Sequence, residues 1–113
     1  MIKIYHNPRC RKSREGLQIL EEANQEFEII KYLEDTLSIQ ELEQLISILK
    51  IKPIDLVRQN ESIWKELYKN KSLTDSQILE ALATYPKLIE RPIVTNKTKA
   101  IIGRPPEIIK TII

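Results

Sequence analysis

The sequence predicts an α/β fold with a mixed sheet, and three features of its 113 residues support this prediction. A strand, a helix and a second strand follow one another in the first third of the chain, two capping-box motifs open helices in the middle, and a hairpin pattern lies near the end. The length is typical of one domain, and 42% hydrophobic residues are enough for one core. We therefore expect a single domain over residues 1–113.

The first third of the chain has the pattern of a βαβ unit. Residues 2–5 alternate in side-chain character and favour a strand, whereas apolar residues recur at helical spacing from Ser13 to about Asn24. Residues 27–32 form a second apolar run of strand length. A strand, a helix and a strand in this order imply parallel pairing through a right-handed crossover.

The middle of the chain is predicted to be helical. Ser38 and Thr74 each begin a capping box, and apolar residues follow both of them at helical spacing. Pro53 separates the first of these helices from a shorter helical segment over residues 62–68. We expect these helices to form an insertion over about residues 37–90.

The end of the chain predicts a hairpin and a last helix. Residues 93–95 and 100–102 are strand-like runs on either side of an Asn-Lys turn. Pro105 and Pro106 then open the helix, because proline is tolerated in a first turn. The complete order is βα, β, a helical block and ββα, which is the topology of the thioredoxin fold with helices inserted in its middle.

The only cysteine, Cys10, lies in a loop between the first strand and the first helix. This position is at the carboxyl end of a parallel strand, where open α/β sheets bind their ligands. The helix that follows would direct free N–H groups and the positive end of its dipole at the loop. Four basic side chains also flank the thiol: Arg9, Arg11, Lys12 and Arg14. These effects predict a pKa below the ordinary value of ~8.5, and hence a reactive thiolate.

The number of cysteines limits the chemistry. A lone cysteine is more often a small buried residue, but basic residues on both sides of Cys10 are atypical of a core position. Ser13 stands where a dithiol oxidoreductase has its second thiol, so redox turnover would need a thiol from outside. The only histidine, His6, is either a base for the thiol or a structural residue bonded to the backbone, and the sequence leaves both open.

Composition and charge argue against several other classes of protein. A net charge of +2 and few aromatic residues do not favour nucleic-acid binding. No apolar run approaches the ~20 residues of a membrane span and no leader is recognisable, so we expect a cytoplasmic protein. One histidine and one cysteine are too few for a metal site, and two glycines make no nucleotide-binding loop. We therefore expect neither a bound metal nor a bound cofactor.

Five short motifs, spread in order over the chain, resemble those of one known family. They are His6-Asn7-Pro8-x-Cys10-x-x-Ser13-Arg14, Tyr32-Leu33-Glu34, Leu56-Val57-Arg58-x-Asn60, Pro86-x-Leu88-Ile89-x-Arg91-Pro92-Ile93-Val94 and Gly103-Arg104-Pro105-x-Glu107. The family is that of the glutaredoxin-coupled arsenate reductases and their homologues, which include the Spx-type transcriptional regulators. The resemblance implies a thioredoxin-like fold with a helical insertion, and reduction of arsenate by a cysteine thiolate.

The resemblance also implies roles for individual residues. Cys10 would be the nucleophile, Ser13 would hydrogen-bond the thiolate, and His6 would be the family's histidine before the loop. The Arg91–Pro92 bond would be the cis peptide that faces the cysteine in this fold. Glutathione would be the co-substrate, and glutaredoxin would reduce the resulting mixed disulfide. The residues that bind the oxyanion would be Asn7, Arg58, Arg91 and Arg104.

Two other functions remain open from the sequence. A redox-sensing regulator of the Spx type, which binds RNA polymerase, usually has a Cys-x-x-Cys switch, and Ser13 replaces its second cysteine here. A glutathione-dependent thiol transferase would need Cys10 but not the three arginines together. Basic residues at positions 9, 11 and 12 replace the small residues of the best-known arsenate reductases, so the physiological substrate is also left open.

Overall fold

Four short strands, four α-helices and three 3₁₀ segments make up the fold in this computed structural model, which describes residues 1–113. The strands are β1 (Ile2–Tyr5), β2 (Phe27–Ile30), β3 (Ile93–Asn96) and β4 (Lys99–Ile102). The α-helices are α1 (Arg11–Glu22), α2 (Ile39–Leu49), α3 (Ser62–Leu67) and α4 (Asp75–Thr84). The 3₁₀ segments are Pro53–Leu56, Pro86–Leu88 and Pro106–Thr111.

The strands form one mixed sheet in the order β2-β1-β3-β4. β1 and β2 are parallel, with Ile2 opposite Phe27 and Tyr5 opposite Ile30, whereas β3 is antiparallel to both β1 and β4. This arrangement confirms the predicted α/β, thioredoxin-like fold. Because β1 and β2 are parallel, their carboxyl ends meet at one edge of the sheet, and the Cys10 loop follows β1 at that edge.

The chain divides into two compact units, which we call the sheet unit (residues 1–35 and 91–113) and the helical unit (residues 36–90). The core of the sheet unit contains aliphatic side chains from the sheet, α1 and the last 3₁₀ segment: Ile2, Ile4, Leu20, Val94 and Ile109. In the helical unit α2 packs against α4, and the buried leucines include Leu42, Leu45, Leu56, Leu82 and Leu88. Each unit thus buries apolar side chains of its own.

Both predicted capping boxes form in the helical unit. The Ser38 hydroxyl accepts from the Glu41 N–H at 3.1 Å, and the Glu41 carboxylate accepts from the Ser38 N–H at 3.2 Å. Thr74 and Gln77 make the same exchange at 3.2 and 2.8 Å. Each pair satisfies two N–H groups that a helix start would otherwise leave without a partner. The predicted starts of α2 and α4 are therefore confirmed.

Three elements differ from the sequence-based expectation, and one of them is β2, which ends at Ile30 and not at Tyr32. α1 begins at Arg11, two residues before the expected start, because Cys10 itself takes the extended N-cap conformation. The last segment is a 3₁₀ helix over Pro106–Thr111 and not an α-helix. The Ile112 N–H bonds to the Ile109 carbonyl three residues earlier, which is the hydrogen-bond spacing of a 3₁₀ helix.

The only two glycines of the chain, Gly16 and Gly103, pack against the same two side chains, Pro92 and Ile109. A Cβ atom at Gly16 would lie 2.9 Å from Pro92 Cγ, and one at Gly103 would lie 3.0 Å from the same atom. The backbones of α1 and of the loop after β4 therefore approach the Pro92 ring more closely than a residue with a Cβ would allow. This packing fixes the start of β3 against the helix that carries Cys10 at its N-terminus.

We expect Gly16→Ala to destabilise the protein by ~1–3 kcal/mol, although alanine normally favours a helix over glycine by up to ~1 kcal/mol. The reason is that the new methyl group would overlap the rigid and fully buried Pro92 ring. Urea denaturation measures the free energy of unfolding, and Gln18→Ala on the exposed face of α1 is the control. A Gly16→Ala variant as stable as the wild type would show that the ring has room to move.

Candidate active site

Cys10 is the N-cap residue of α1, and its side chain is partly exposed. Its backbone angles, φ −93° and ψ 123°, are extended, which is usual for an N-cap residue. The Cys10 N–H donates to the Asn7 carbonyl at 3.0 Å and closes the loop. The backbone N–H groups of Ser13 and Lys12, in the first turn of α1, act on the Cys10 sulfur and lower the pKa of its thiol, but the side chain makes no N-cap hydrogen bond.

Two arginines of the sheet unit also contact the sulfur. The Arg91 side chain hydrogen-bonds to Cys10, and Arg104 Nη2 lies 3.6 Å from Cys10 Sγ. Arg104 Nε donates to the Arg91 carbonyl at 2.8 Å, so the backbone of Arg91 helps to position the Arg104 side chain. Arg91 is only 8% exposed, whereas Arg104 is open to solvent. The Arg91–Pro92 bond is cis, as the resemblance implies, and the bond that follows Arg104 is cis as well.

Burial raises the pKa of the Cys10 thiol, but the groups around the sulfur outweigh burial, and the pKa lies below its ordinary value. The Ser13 N–H is the strongest of these groups, followed by the hydrogen bond and charge of Arg91 and by the Lys12 N–H. Each of them favours the charged form of the thiol. The predicted lowering of this pKa is confirmed in its direction.

The side chains of the basic residues next to Cys10 in sequence are not among the groups that lower this pKa, which differs from the prediction. Arg11 Nε and Lys12 Nζ pair with Glu15 along α1, at 3.1 and 3.6 Å. Arg14 Nη1 donates to a loop carbonyl, that of Pro8, at 3.0 Å. All three basic side chains are exposed, and water screens their charge.

A buried network beneath the loop joins the end of β1 to the first turn of α1. Ser13 Oγ lies 2.6 Å from His6 Nδ1 and accepts from the Asn7 N–H at 3.0 Å. Ser13 is fully buried, and His6 and Asn7 are nearly so. The Asn7 side chain in turn accepts from the Arg9 N–H at 3.0 Å, which tightens the loop around Cys10.

The hydrogen bonds of this network show which groups of the predicted site residues face Cys10 and which do not. Ser13 acts on the Cys10 sulfur through its backbone N–H, which lowers the pKa of the thiol, while its hydroxyl is bonded to His6 and Asn7. His6 contacts Ser13 and not Cys10, so this geometry makes it a positioning residue. The N–H group of Lys12 is a site group that the sequence did not indicate, because a backbone amide has no residue signature.

Burial lowers the pKa of His6, and the charges of Lys31 and Arg14 lower it further, although the bond to Ser13 acts in the opposite direction. The folded protein therefore takes up this proton at a lower pH than the unfolded chain, whose histidine has a pKa of ~6.5. Stability contributed by neutral His6 is complete above ~6.5 and is lost as the pH falls through and below that value. The network is thus sensitive to acid.

We expect the thermal stability of the wild type to fall between about pH 6.5 and 5, where carboxylates still remain ionised. His6→Asn should remove this part of the pH dependence, because asparagine does not titrate. Thermal denaturation of both proteins at several pH values from about 7.5 to 5 measures the effect. Parallel curves for the two proteins would contradict this account of His6.

Arg58, the third arginine of the resemblance, belongs to the helical unit. Its Nε lies 3.7 Å from Glu61 Oε1 and 3.6 Å from Glu90 Oε1. Its N–H donates to the Leu88 carbonyl at 2.7 Å, which fixes its backbone beside the segment that ends at Glu90. A role for Arg58 in binding an oxyanion stays a prediction.

Three further observations concern metal ligands, membrane-spanning helices and the state of the thiol. No cluster of three or more His, Cys, Asp or Glu side chains is arranged to hold a metal ion. No helix has both the length and the apolar character that crossing a membrane requires. Cys10 is a free thiol.

Known proteins resemble this chain along nearly its whole length. It matches the ArsC family over residues 5–112. It is 46% identical to the uncharacterized protein YfgD of Escherichia coli, with 94% of this chain and 91% of that protein covered. It is 40% identical to the arsenate reductase of Neisseria meningitidis, with 99% and 97% covered. The solved structure of the arsenate reductase from Vibrio cholerae has a TM-score of 0.94 at 43% identity, and the match covers 99% of this chain and 97% of that one.

The fold and the site define a thioredoxin-like protein with a single activated cysteine at the start of its first helix. The chain belongs to the ArsC family. The family resemblance of the five sequence motifs is thereby confirmed, and several relatives carry the name arsenate reductase.

Proposed function

We propose that this protein reduces arsenate, with Cys10 as the nucleophile, Arg91 and Arg104 as ligands of the oxyanion, and glutathione and glutaredoxin as sources of reducing thiol. One observation carries the proposal: a thiol with a lowered pKa is in contact with both arginine side chains. The names of the Neisseria meningitidis and Vibrio cholerae relatives support the same reaction.

The charges at this site suit the proposed substrate. Arsenate has one or two negative charges at neutral pH, and attack by a thiolate brings a further negative charge to it. Guanidinium groups stay protonated and donate paired hydrogen bonds, which fits a tetrahedral oxyanion better than an ammonium group does. Each well-placed donor contributes ~2–4 kcal/mol to the stability of such a transition state.

The proposed cycle begins when Cys10 Sγ attacks arsenic, forms an S–As bond and expels one oxygen as water. Glutathione thiolate then attacks Cys10 Sγ, an S–S bond forms, and the electron pair of the S–As bond stays on arsenic, which leaves as arsenite. Arsenic gains two electrons, and the two thiols lose them. A glutaredoxin thiol finally attacks the glutathione sulfur and releases Cys10 as a thiolate.

The family resemblance implies roles for three further residues, His6, Asn7 and Arg58. We propose that His6 and Asn7 act by holding Cys10 and Ser13 in place, because both lie buried beneath the loop. A buried hydrogen-bonded support keeps a reactive group within the small tolerance that catalysis requires. Arg58 is proposed as the third arginine of the oxyanion site.

The test is arsenate-dependent oxidation of NADPH by the purified protein with glutathione, glutaredoxin and glutathione reductase, each thiol donor being omitted in turn. We expect turnover that requires both donors. Turnover with a glutathione mixed disulfide but not with arsenate would identify a thiol transferase and overturn the proposal. Co-purification with RNA polymerase, in the absence of any turnover, would support a regulator of the Spx type.

A further inference from the structure

Exposed basic side chains surround Cys10, and we call them the basic rim: Arg9, Arg11, Lys12 and Arg14. The Arg9 side chain forms no hydrogen bond or ion pair, and the Arg11 side chain is 83% exposed. Arg11 and Lys12 share one carboxylate, that of Glu15, in solvent-exposed pairs that are worth little. Most of the positive charge of the rim is therefore available to an approaching anion.

This charge is local to the Cys10 loop. Residues 1–20 contain five basic residues and one acidic residue, whereas the rest of the chain contains thirteen basic and fifteen acidic residues. Lys31, which follows β2 at the same edge of the sheet, adds to the charge, since it acts on the buried His6 beneath the loop. Positive charge is thus concentrated around the one reactive sulfur of the protein.

The rim is not used for activating the thiol. Backbone N–H groups and Arg91 are the groups that lower the pKa of Cys10, and the side chains of the rim are not among them. Arg91 and Arg104 already supply two cations in contact with the sulfur. The charge of the rim lies outside these contacts, where it would meet a reactant larger than a simple oxyanion.

We infer that the basic rim selects the thiol that discharges Cys10, and that it favours small thiols with a carboxylate close to the sulfur. The inference rests on the proposed function, in which a chain with a single cysteine needs an outside thiol in every cycle. Such a thiol attacks as a thiolate, and the carboxylate gives it a second negative charge. Surface charge of the opposite sign raises the encounter rate of an anion by about 10-fold or more at low ionic strength.

The step concerned is thiol–disulfide exchange, which the proposed cycle assigns to glutaredoxin and which a small anionic thiol would also perform. The incoming thiolate attacks the outer sulfur of a Cys10 mixed disulfide, a new disulfide forms, and the electron pair of the broken bond leaves on Cys10 Sγ. The Ser13 and Lys12 N–H groups and Arg91 stabilise the leaving thiolate whichever thiol attacks. Arsenate takes no part in this step, so its rate is measured independently of arsenate reduction.

The experiment starts from protein whose Cys10 has been converted to the methyl disulfide with methyl methanethiosulfonate. Three small thiols are then tested separately at the same concentration. They are 3-mercaptopropionate, which has a carboxylate, 2-mercaptoethanol, which has no further charge, and cysteamine, which has an ammonium group. Intact mass follows the return of free Cys10 and gives a second-order rate constant for each thiol. Comparing each thiol with itself across variants cancels differences in intrinsic reactivity.

Two double variants remove the same charge from different places. Arg9→Gln with Arg11→Gln changes the rim, and Lys97→Asn with Lys99→Gln changes the β3–β4 turn. That turn lies at the opposite end of the sheet from the Cys10 loop, because the end of β3 pairs with Ile2 at the start of β1. Asparagine is chosen at Lys97 because the φ of 58° there is left-handed.

For the rim variant we expect the rate with 3-mercaptopropionate to fall about 3–10-fold at low ionic strength, and less than about 2-fold at 0.5 M salt, where charges are screened. The fall should be smaller with 2-mercaptoethanol and absent with cysteamine, and the turn variant should match the wild type. An equal fall for all three thiols, no fall, or the same fall in the turn variant would overturn the inference. None of these outcomes depends on whether the protein reduces arsenate.

Discussion

Replacing Cys10 by serine is expected to abolish arsenate-dependent turnover, a loss of at least about 10³-fold in kcat. A serine hydroxyl is not ionised near neutral pH and cannot form the mixed disulfide, so both sulfur-dependent steps of the proposed cycle fail. Initial rates in the glutathione and glutaredoxin coupled assay measure the effect. Serine is a good N-cap residue, so α1 should remain intact.

Thermal denaturation of Cys10→Ser provides the necessary control. An unchanged melting temperature together with lost turnover would assign the loss to chemistry. A variant that folds and keeps more than about a tenth of the activity would contradict the role of Cys10 as nucleophile.

Replacing Arg91 by alanine is expected to lower kcat/KM for arsenate by about 10²–10³-fold. Arg91 acts twice in this account, because it lowers the pKa of Cys10 and is proposed to bind the oxyanion. The pH dependence of Cys10 alkylation by iodoacetamide isolates the first of these effects. The midpoint of that dependence should move to higher pH in Arg91→Ala, because a cation beside the thiolate has been removed.

Two further variants make the Arg91 prediction specific. Arg91→Lys keeps the charge but loses the paired donors. Compared with Arg91→Ala, it should therefore bring the alkylation midpoint part of the way back to the wild-type pH but restore little of the arsenate activity. Arg9→Ala removes an equal charge from the exposed rim and should leave the midpoint unchanged, since Arg9 has no part in lowering the pKa of Cys10. A shift of the same size in Arg9→Ala would contradict the assignment of this effect to Arg91.

The sequence predicted the fold well where its signals are local. The alternation around Ile4 and the capping boxes at Ser38 and Thr74 depend only on neighbouring residues, and each gave the element that the structure contains. The start of α1 was misplaced, because the N-cap conformation of Cys10 depends on the hydrogen bonds of its loop. The last 3₁₀ segment differs from an α-helix by one residue in hydrogen-bond register, which no residue pattern marks clearly.

The candidate site was only partly accessible to sequence reasoning. Cys10 stood out through its basic neighbours, yet those neighbours are not the groups that lower its pKa. The groups that do so are backbone amides and Arg91, and Arg91 comes from a distant part of the chain with no local pattern of its own. Family motifs, and not periodicity or composition, indicated Arg91 and Arg104. The bond from Ser13 to His6 depends on how β1 and α1 meet, and this required the structure.

The most direct test of the proposed mechanism is a single turnover without glutaredoxin. Wild-type protein is incubated with glutathione in the presence and absence of arsenate, and intact mass records the state of Cys10. The proposed mechanism predicts a mass increase of one glutathione that requires arsenate and is accompanied by one equivalent of arsenite. Glutathionylation of Cys10 that is equally fast without arsenate, or arsenite release without glutathionylation, would contradict it.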